Sequence, residues 1–157
     1  MSQSIEQHLA ELGIELPSPA KSVANYLPAV ISGTLILTSG QLPLADGKLT
    51  ATGLLGRDMD VAAGARAAKQ CALNVLAQTQ ACLGSLERVV RIVKITVFVA
   101  SAPDFTEQHL VANGASDFLV AALGDKGKHA RSAVGVAALP MNAPVEIETV
   151  IEIAPKQ

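Results

Sequence analysis

The chain has 157 residues, 12 basic against 14 acidic, a net charge of −2 and an apolar share of 50%; its mean hydropathy is +0.37. That length fits one domain with a substantial core, and no apolar run approaches the ~20 residues a membrane-spanning helix needs. Near-neutral charge with no Trp, one Tyr and three Phe argues against a nucleic-acid surface, which needs a basic stripe and stacking rings.

Ser4-Ile5-Glu6-Gln7 reads as a capping box opening a short helix, with Ile5, Leu9 and Leu12 on one face and Gly13 as its stop. His8, within it, reads as solvated, and Leu16-Pro17-Ser18-Pro19 as a linker. Residues 1–20 therefore form an added N-terminal helix and linker, and residues 21–157 the main domain. From Tyr26 to Leu44 the chain is β-rich, with Ser32-Gly33-Thr34 as a hairpin connection and Asp46-Gly47 as a second turn. Leu54 to Asp58 reads as loop. Asp60 caps a long alanine-rich helix reaching about Leu83, ended by Gly84-Ser85.

Val89 to Val99 is a long β-branched strand in which strict alternation groups Arg91 with Val93, Ile95 and Val97, and Lys94 with Ile92, Thr96 and Phe98. Pro103 to Leu123 reads as a second helix, with Asn113-Gly114 as a candidate break. Ala133 to Val136 and Val145 to Ile153 are the last strands; in the latter Val145, Ile147, Thr149, Ile151 and Ile153 share an apolar face. Cys71 and Cys82 fall on nearly the same helix face but about 16 Å apart along the axis, too far for a disulfide. Both read as small core residues, and with no leader of signal-peptide type the expected location is cytoplasmic.

The element order β-β-(β)-α-β-α-β-β implies an α+β fold, a mixed sheet with both helices packed on one face. No third long helix is left to cover the other face. In a chain this apolar, with 17% charged residues, another subunit is the simplest cover.

Chemistry-bearing residues are few. Arg131 follows a Gly/Lys/His loop; its guanidinium suits a bidentate grip on a carboxylate or a structural ion pair. Glu146 and Glu148, two apart, point to one side of their strand, where either can orient or deprotonate a water, or simply be solvated. Ser39-Gly40 ends a strand where a ligand can approach the backbone, but no partner makes Ser39 a nucleophile. The Tyr26 hydroxyl can meet a ligand, or its ring can cap a core. His8, His109 and His129 have no metal-site spacing, and Gly53-Leu54-Leu55-Gly56 lacks the context of a phosphate loop.

Taken together, Gly33 to Pro43, Val93 to Val99, Asp104-Phe105, His129-Ala130-Arg131-Ser132, Leu139-Pro140 and Val145-Glu146-Ile147-Glu148 resemble the RidA (YjgF, reactive intermediate deaminase) family over roughly Tyr26 to Ile153. The resemblance implies a chorismate-mutase-like fold, a homotrimer with clefts between subunits, and hydrolysis of reactive 2-imino acids to 2-oxo acids and ammonia, with no metal or cofactor. Arg131 would hold the substrate carboxylate and Glu146 would position water. Tyr26, Ser39, Gly40 and Ala133 would line the pocket, with His109 at a position usually held by Asn. The sequence departs from the family pattern at Asn25, where Pro is usual, at Ala133, where Cys is usual, and in its N-terminal helix and Leu54–Asp58 segment, so it reads as a divergent subgroup. A non-enzymatic trimer that senses a small carboxylate is the main rival reading. The endoribonuclease label attached to the family is disfavoured by charge and composition.

Overall fold

The computed structural model describes residues 3–22 and 24–156. Its strands are β1 (Ala29–Ser32), β2 (Leu35–Thr38), β3 (Leu44–Ala45), β4 (Lys48–Leu49), β5 (Val89–Ala100), β6 (Ala130–Val136) and β7 (Val145–Ile153), and its helices α1 (Ile5–Glu11), α2 (Val61–Leu83) and α3 (Gln108–Leu123). Five strands form one sheet in the order β1-β2-β7-β5-β6, while β3 and β4 pair as a small separate hairpin. Among the described strands of this sheet only the β5–β6 pair is parallel. The connection through α3 makes that possible, since parallel neighbours need a crossover. This is the expected mixed sheet of an α+β fold, with α2 and α3 on one face.

Local chemistry accounts for the helices. Asp60 Oδ1 accepts from the Ala63 amide at 2.9 Å to start α2, and Gly84, at φ +83°, ends it. Gly114 does not break α3: a Cβ there would lie 2.0 Å from the Ala65 carbonyl oxygen, so the glycine lets α3 press against the α2 backbone. The helix nonetheless starts at Gln108 rather than Pro103. Gln108 Nε2 donates to the Phe105 carbonyl (2.8 Å), and the Phe105 amide bonds back to Ala102 (3.0 Å), so the preceding residues close a turn instead.

Two departures from strict alternation matter. β5 carries irregularities between Val89 and Arg91 and between Ile92 and Lys94. Ile92 and Ile95, three apart, are therefore both fully buried, and the expected grouping of Arg91 with Ile95 and of Ile92 with Lys94 is overturned. Leu55, in an irregular segment as expected, is fully buried; its backbone bonds to Ala100 at the end of β5 and to Ala102 just beyond it.

The N-terminal helix has its capping box and buries Leu9, but Leu12, past the last turn, is 46% exposed instead of sharing that face. His8 is not simply solvated: its Nε2 meets the Ala121 carbonyl at 2.9 Å. Glu6 ties α1 to the turn before β5 by accepting from Ser85 Oγ and the Leu86 amide. Burial pushes the Glu6 carboxyl up, yet those hydrogen bonds together hold it below its ordinary value. Cys71 is buried; Cys82 is exposed, contrary to its reading as a core residue, because burial along α2 stops at Thr79, one turn before the helix ends.

Against the helices the sheet presents Ile36, Ile92, Ile95, Val97, Ile147 and Ile151, all fully buried. Its other face carries Leu37, Val134 and Lys94, exposed, with Phe98 and Val150 partly so. Among the described residues nothing in the chain covers that face.

Candidate functional site

The strand register places the candidate residues without reference to any side-chain rotamer. Thr149, Ile95 and Arg131 are cross-strand neighbours in one row, and Ile147, Val97 and Ala133 in the next. Both rows face the helices, as the full burial of Ile95, Val97 and Ile147 requires. Glu146, Phe98 and Val134 form a row on the open face, and Glu148, Thr96 and Ser132 another. Arg131 and Glu146 therefore lie on opposite faces of the sheet. They are also two strands apart, about 10 Å at ordinary strand spacing. One chain therefore holds the candidate residues in two separate groups, each described below as a candidate half-site.

The first half-site surrounds Gly40. The Gln41 amide donates to the Ile147 carbonyl (2.8 Å) and the Ile147 amide to the Gln41 carbonyl (3.0 Å), which clips the chain after β2 onto β7. Gly40 is thereby held against Glu146 so closely that a methyl group on it would come within 2.0 Å of Glu146 Oε1. Ser39, an expected pocket-lining residue, also ties the strand end to the segment before β1. Its hydroxyl donates to the Leu27 carbonyl (2.6 Å) and its amide to the Pro28 carbonyl (2.8 Å), tethering the segment that carries Tyr26. Tyr26 is 56% exposed, so its ring does not cap the core of this chain. It lines a cavity of about 250 Å³ together with Gly40, Gln41, Lys21, Ser22 and Met141.

Glu146 is half-buried, and burial, reinforced by the charge of Glu148, pushes its carboxyl above the ordinary value. A carboxyl so tuned exchanges protons with bound water more readily than a fully solvated one. Cys71 lies beneath it, its thiol pushed well up by burial and by the charge of Glu146, so it is an inert buried group rather than a nucleophile.

The second half-site is built on β6 and α3. Arg131 Nη1 donates to Asn113 Oδ1 (2.9 Å) and to Ser116 Oγ (3.1 Å), and Nη2 to the His109 carbonyl (3.3 Å). His109 thus contributes its backbone, while its side chain is exposed. Ala133 is partly buried and packs against the core two residues further along the same face. Among the described residues Arg131 has no carboxylate partner, so it is not half of an ordinary ion pair; the salt bridges there are Arg57–Asp58 and Lys128–Asp125, both on the surface.

A reading of the residues alone misses Asn113 and Ser116. Their signal is three-residue spacing on one helix face, masked by the Asn-Gly pair, which reads as a helix break.

A family model described as "YjgF/chorismate mutase-like, putative endoribonuclease" matches residues 6–153. The chain belongs to this family. A curated relative, Protein TCP17 of Trypanosoma cruzi, is 48% identical over 97% of this chain and 96% of its own length. The crystal structure of Atu1372 from Agrobacterium tumefaciens, a protein described as having unknown function, superposes with a TM-score of 0.90 at 54% identity, covering 96% of this chain and 92% of that one. TdcF of E. coli, in a crystal structure with bound serine, gives a TM-score of 0.64 at 26% identity over 87% and 94% of the two chains. The YjgF family match begins at Glu6 and so takes in most of α1. YjgF-family proteins are typically homo-oligomers. No helix among the described residues is long and apolar enough to cross a membrane.

Proposed function

We propose that this protein is a homotrimeric 2-imino acid deaminase whose site joins Arg131, His109 and Ala133 of one subunit to Tyr26, Ser39, Gly40 and Glu146 of the next. The substrate is a small reactive 2-imino or enamine acid formed in the cytoplasm. The observation that carries this reading is the separation of Arg131 from Glu146 across the sheet. A carboxylate anchor and a tuned acid on opposite faces of one chain become partners only across a subunit boundary, as the uncovered apolar face invites.

The chemistry is undemanding. Arg131 holds the substrate carboxylate by a two-pronged hydrogen bond. Glu146 takes a proton from water as its oxygen bonds to C2 of the protonated imine. The same carboxyl then returns the proton to nitrogen; as the C–N bond breaks and ammonia leaves, the carboxylate takes the C2 hydroxyl proton and passes it to the departing ammonia, and the products are the 2-oxo acid and ammonium. The iminium carbon is already electrophilic, so placement of water and one proton relay suffice without metal or cofactor. The serine named in the TdcF structure is likewise a small carboxylate-bearing molecule.

The test is to generate 2-iminobutyrate in situ with an amino-acid dehydratase and trap the surviving imine with semicarbazide. Native protein suppresses trapping and Arg131→Ala does not. If native protein leaves several imines untouched, the reading fails and a carboxylate-sensing trimer takes its place. That second reading has its own support: the anchor at Arg131 is intact whether or not Glu146 does chemistry. An RNA-cleaving role would require RNA binding that weakens steeply with salt, which a net charge of −2 does not favour.

A further inference from the structure

We infer that Ser116, Asn113 and His129 are positioning residues that aim the Arg131 guanidinium. They lock its Nη1 end against α3 and leave Nε–H and one Nη2–H as an outward fork for a substrate carboxylate. The inference rests on the proposed role of Arg131 as a carboxylate anchor.

The polarity of the chain of contacts is set from its far end. His129 Nδ1 sits 2.5 Å from the Gly127 carbonyl, an acceptor only, so Nδ1 carries the proton. In the neutral ring Nε2 is then an acceptor, and the Ser116 hydroxyl donates to it at 2.9 Å. With its hydrogen committed, Ser116 Oγ turns a lone pair to Arg131 Nη1 (3.1 Å). Asn113 Oδ1, three residues away on the same helix, accepts from that same Nη1 at 2.9 Å, and the His109 carbonyl from Nη2 at 3.3 Å. Three bonds use three of the five N–H donors of a guanidinium. Both Nη1 hydrogens are spent, and Nε has no partner among the described residues.

A free arginine must lose rotamer entropy to grip a carboxylate. One already fixed by three bonds loses less, which is the affinity advantage of preorganisation. His129 touches neither substrate nor the guanidinium; it acts by making Ser116 an acceptor toward Arg131. The competing account, that Arg131 merely brackets β6 to α3, needs the same bonds but gives the spare fork no use.

The test uses the full-length protein in its native assembly, with variants Ser116→Ala, His129→Phe and His129→Gln. Phe keeps the ring and removes the acceptor; Gln restores an acceptor near the Nε2 position. Two readouts are the ¹⁵N resonances of the Arg131 guanidinium and the affinity for 2-oxobutyrate. Native protein should show distinct, slowly exchanging Nη1 and Nη2 signals. In Ser116→Ala and His129→Phe they should merge, with affinity falling about three- to ten-fold and the melting temperature little changed. His129→Gln should recover both. If the native signals are already merged, or stay distinct in both disruptive variants, the inference is overturned. Loss of stability with unchanged oxo-acid affinity overturns it in favour of a bracket. If one variant fails to fold, the other reads the same bond. Neither readout depends on imine hydrolysis. Locked Nη signals without deamination would sink the enzyme reading alone, and deamination with freely rotating Nη groups would sink only this one.

Discussion

The two faces of the sheet are built from the same strands but to different rules. Toward the helices, Ile36, Ile95, Val97, Ile147 and Ile151 are fully buried, and the one charge among these rows, Arg131, has three hydrogen-bonded neighbours. On the open face, Leu37 and Val134 stand 43% and 42% exposed, and Gly40 packs against the Glu146 carboxyl. The first face is complete in one chain. The second has the composition of an interface core with acids set into it, and makes sense only once covered. The division teaches that the buried face sets stability and also carries the proposed carboxylate anchor, Arg131, while the proposed proton relay, Glu146, sits on the open face.

The largest effect should come where chemistry is assigned. Glu146→Gln should lower imine turnover by about 10²- to 10⁴-fold while leaving 2-oxobutyrate affinity close to native in a calorimetric titration. If affinity falls with turnover, Glu146 is an anchor and the roles of the two half-sites are wrongly divided.

Next comes the contrast between faces. Ile151→Ala, on the fully buried side, should cost about 3 kcal/mol in denaturant unfolding at every protein concentration. Leu37→Ser, on the open side, should instead shift the sedimentation profile toward smaller species at concentrations where the native protein stays assembled. Equal behaviour of the two would erase the distinction between faces.

A smaller effect tests helix packing behind the buried face. Gly114→Ala would drive a methyl into the Ala65 backbone and should cost about 2 kcal/mol, seen as a lowered melting temperature. No change would mean that α2 and α3 are not in close contact at this point.

The smallest effect concerns charge. The Glu146 carboxyl is raised in the folded protein from an ordinary value of 4.5, by burial first and by Glu148 second. Between 4.5 and the raised folded value the native state binds the extra proton, so stability is lost as pH rises through that window. Glu146→Gln should therefore melt slightly higher than native at pH 7, and the gain should disappear below the ordinary carboxylate value. A gain that grew on acidification would reverse the assigned sign.

Much of the fold is legible because the sequence states it locally. The Ser4 box, Asp60 and Gly84 mark helix ends by side-chain hydrogen bonding or positive φ, and Val145 to Ile153 alternates without interruption. What is illegible depends on tertiary contact. The irregularities in β5 leave no mark in a run of β-branched residues, so strict alternation assigns Ile92 to the wrong face. The start of α3 turns on Gln108 reaching back to Phe105. The candidate site can be named residue by residue from family resemblance, yet its division stays hidden: β6 is Ala-Arg-Ser-Ala-Val-Gly-Val, too short and small-residued to show which face Arg131 takes. Ser39 and Gly40 read as a strand end open to a ligand, and only the fold reveals that one tethers the Tyr26 segment and the other packs against Glu146.

The central claim is that Arg131 and Glu146 meet only between subunits, and subunit mixing tests it most directly. Arg131→Ala and Glu146→Gln proteins, each inactive alone, are dissociated together, reassembled and assayed for imine hydrolysis. With random reassembly, about a quarter of the interfaces should join an intact Arg131 to an intact Glu146, and activity should return in that proportion. A mixture no more active than its parents, alongside an active native protein taken through the same cycle, would place both residues in one chain's site and contradict the account.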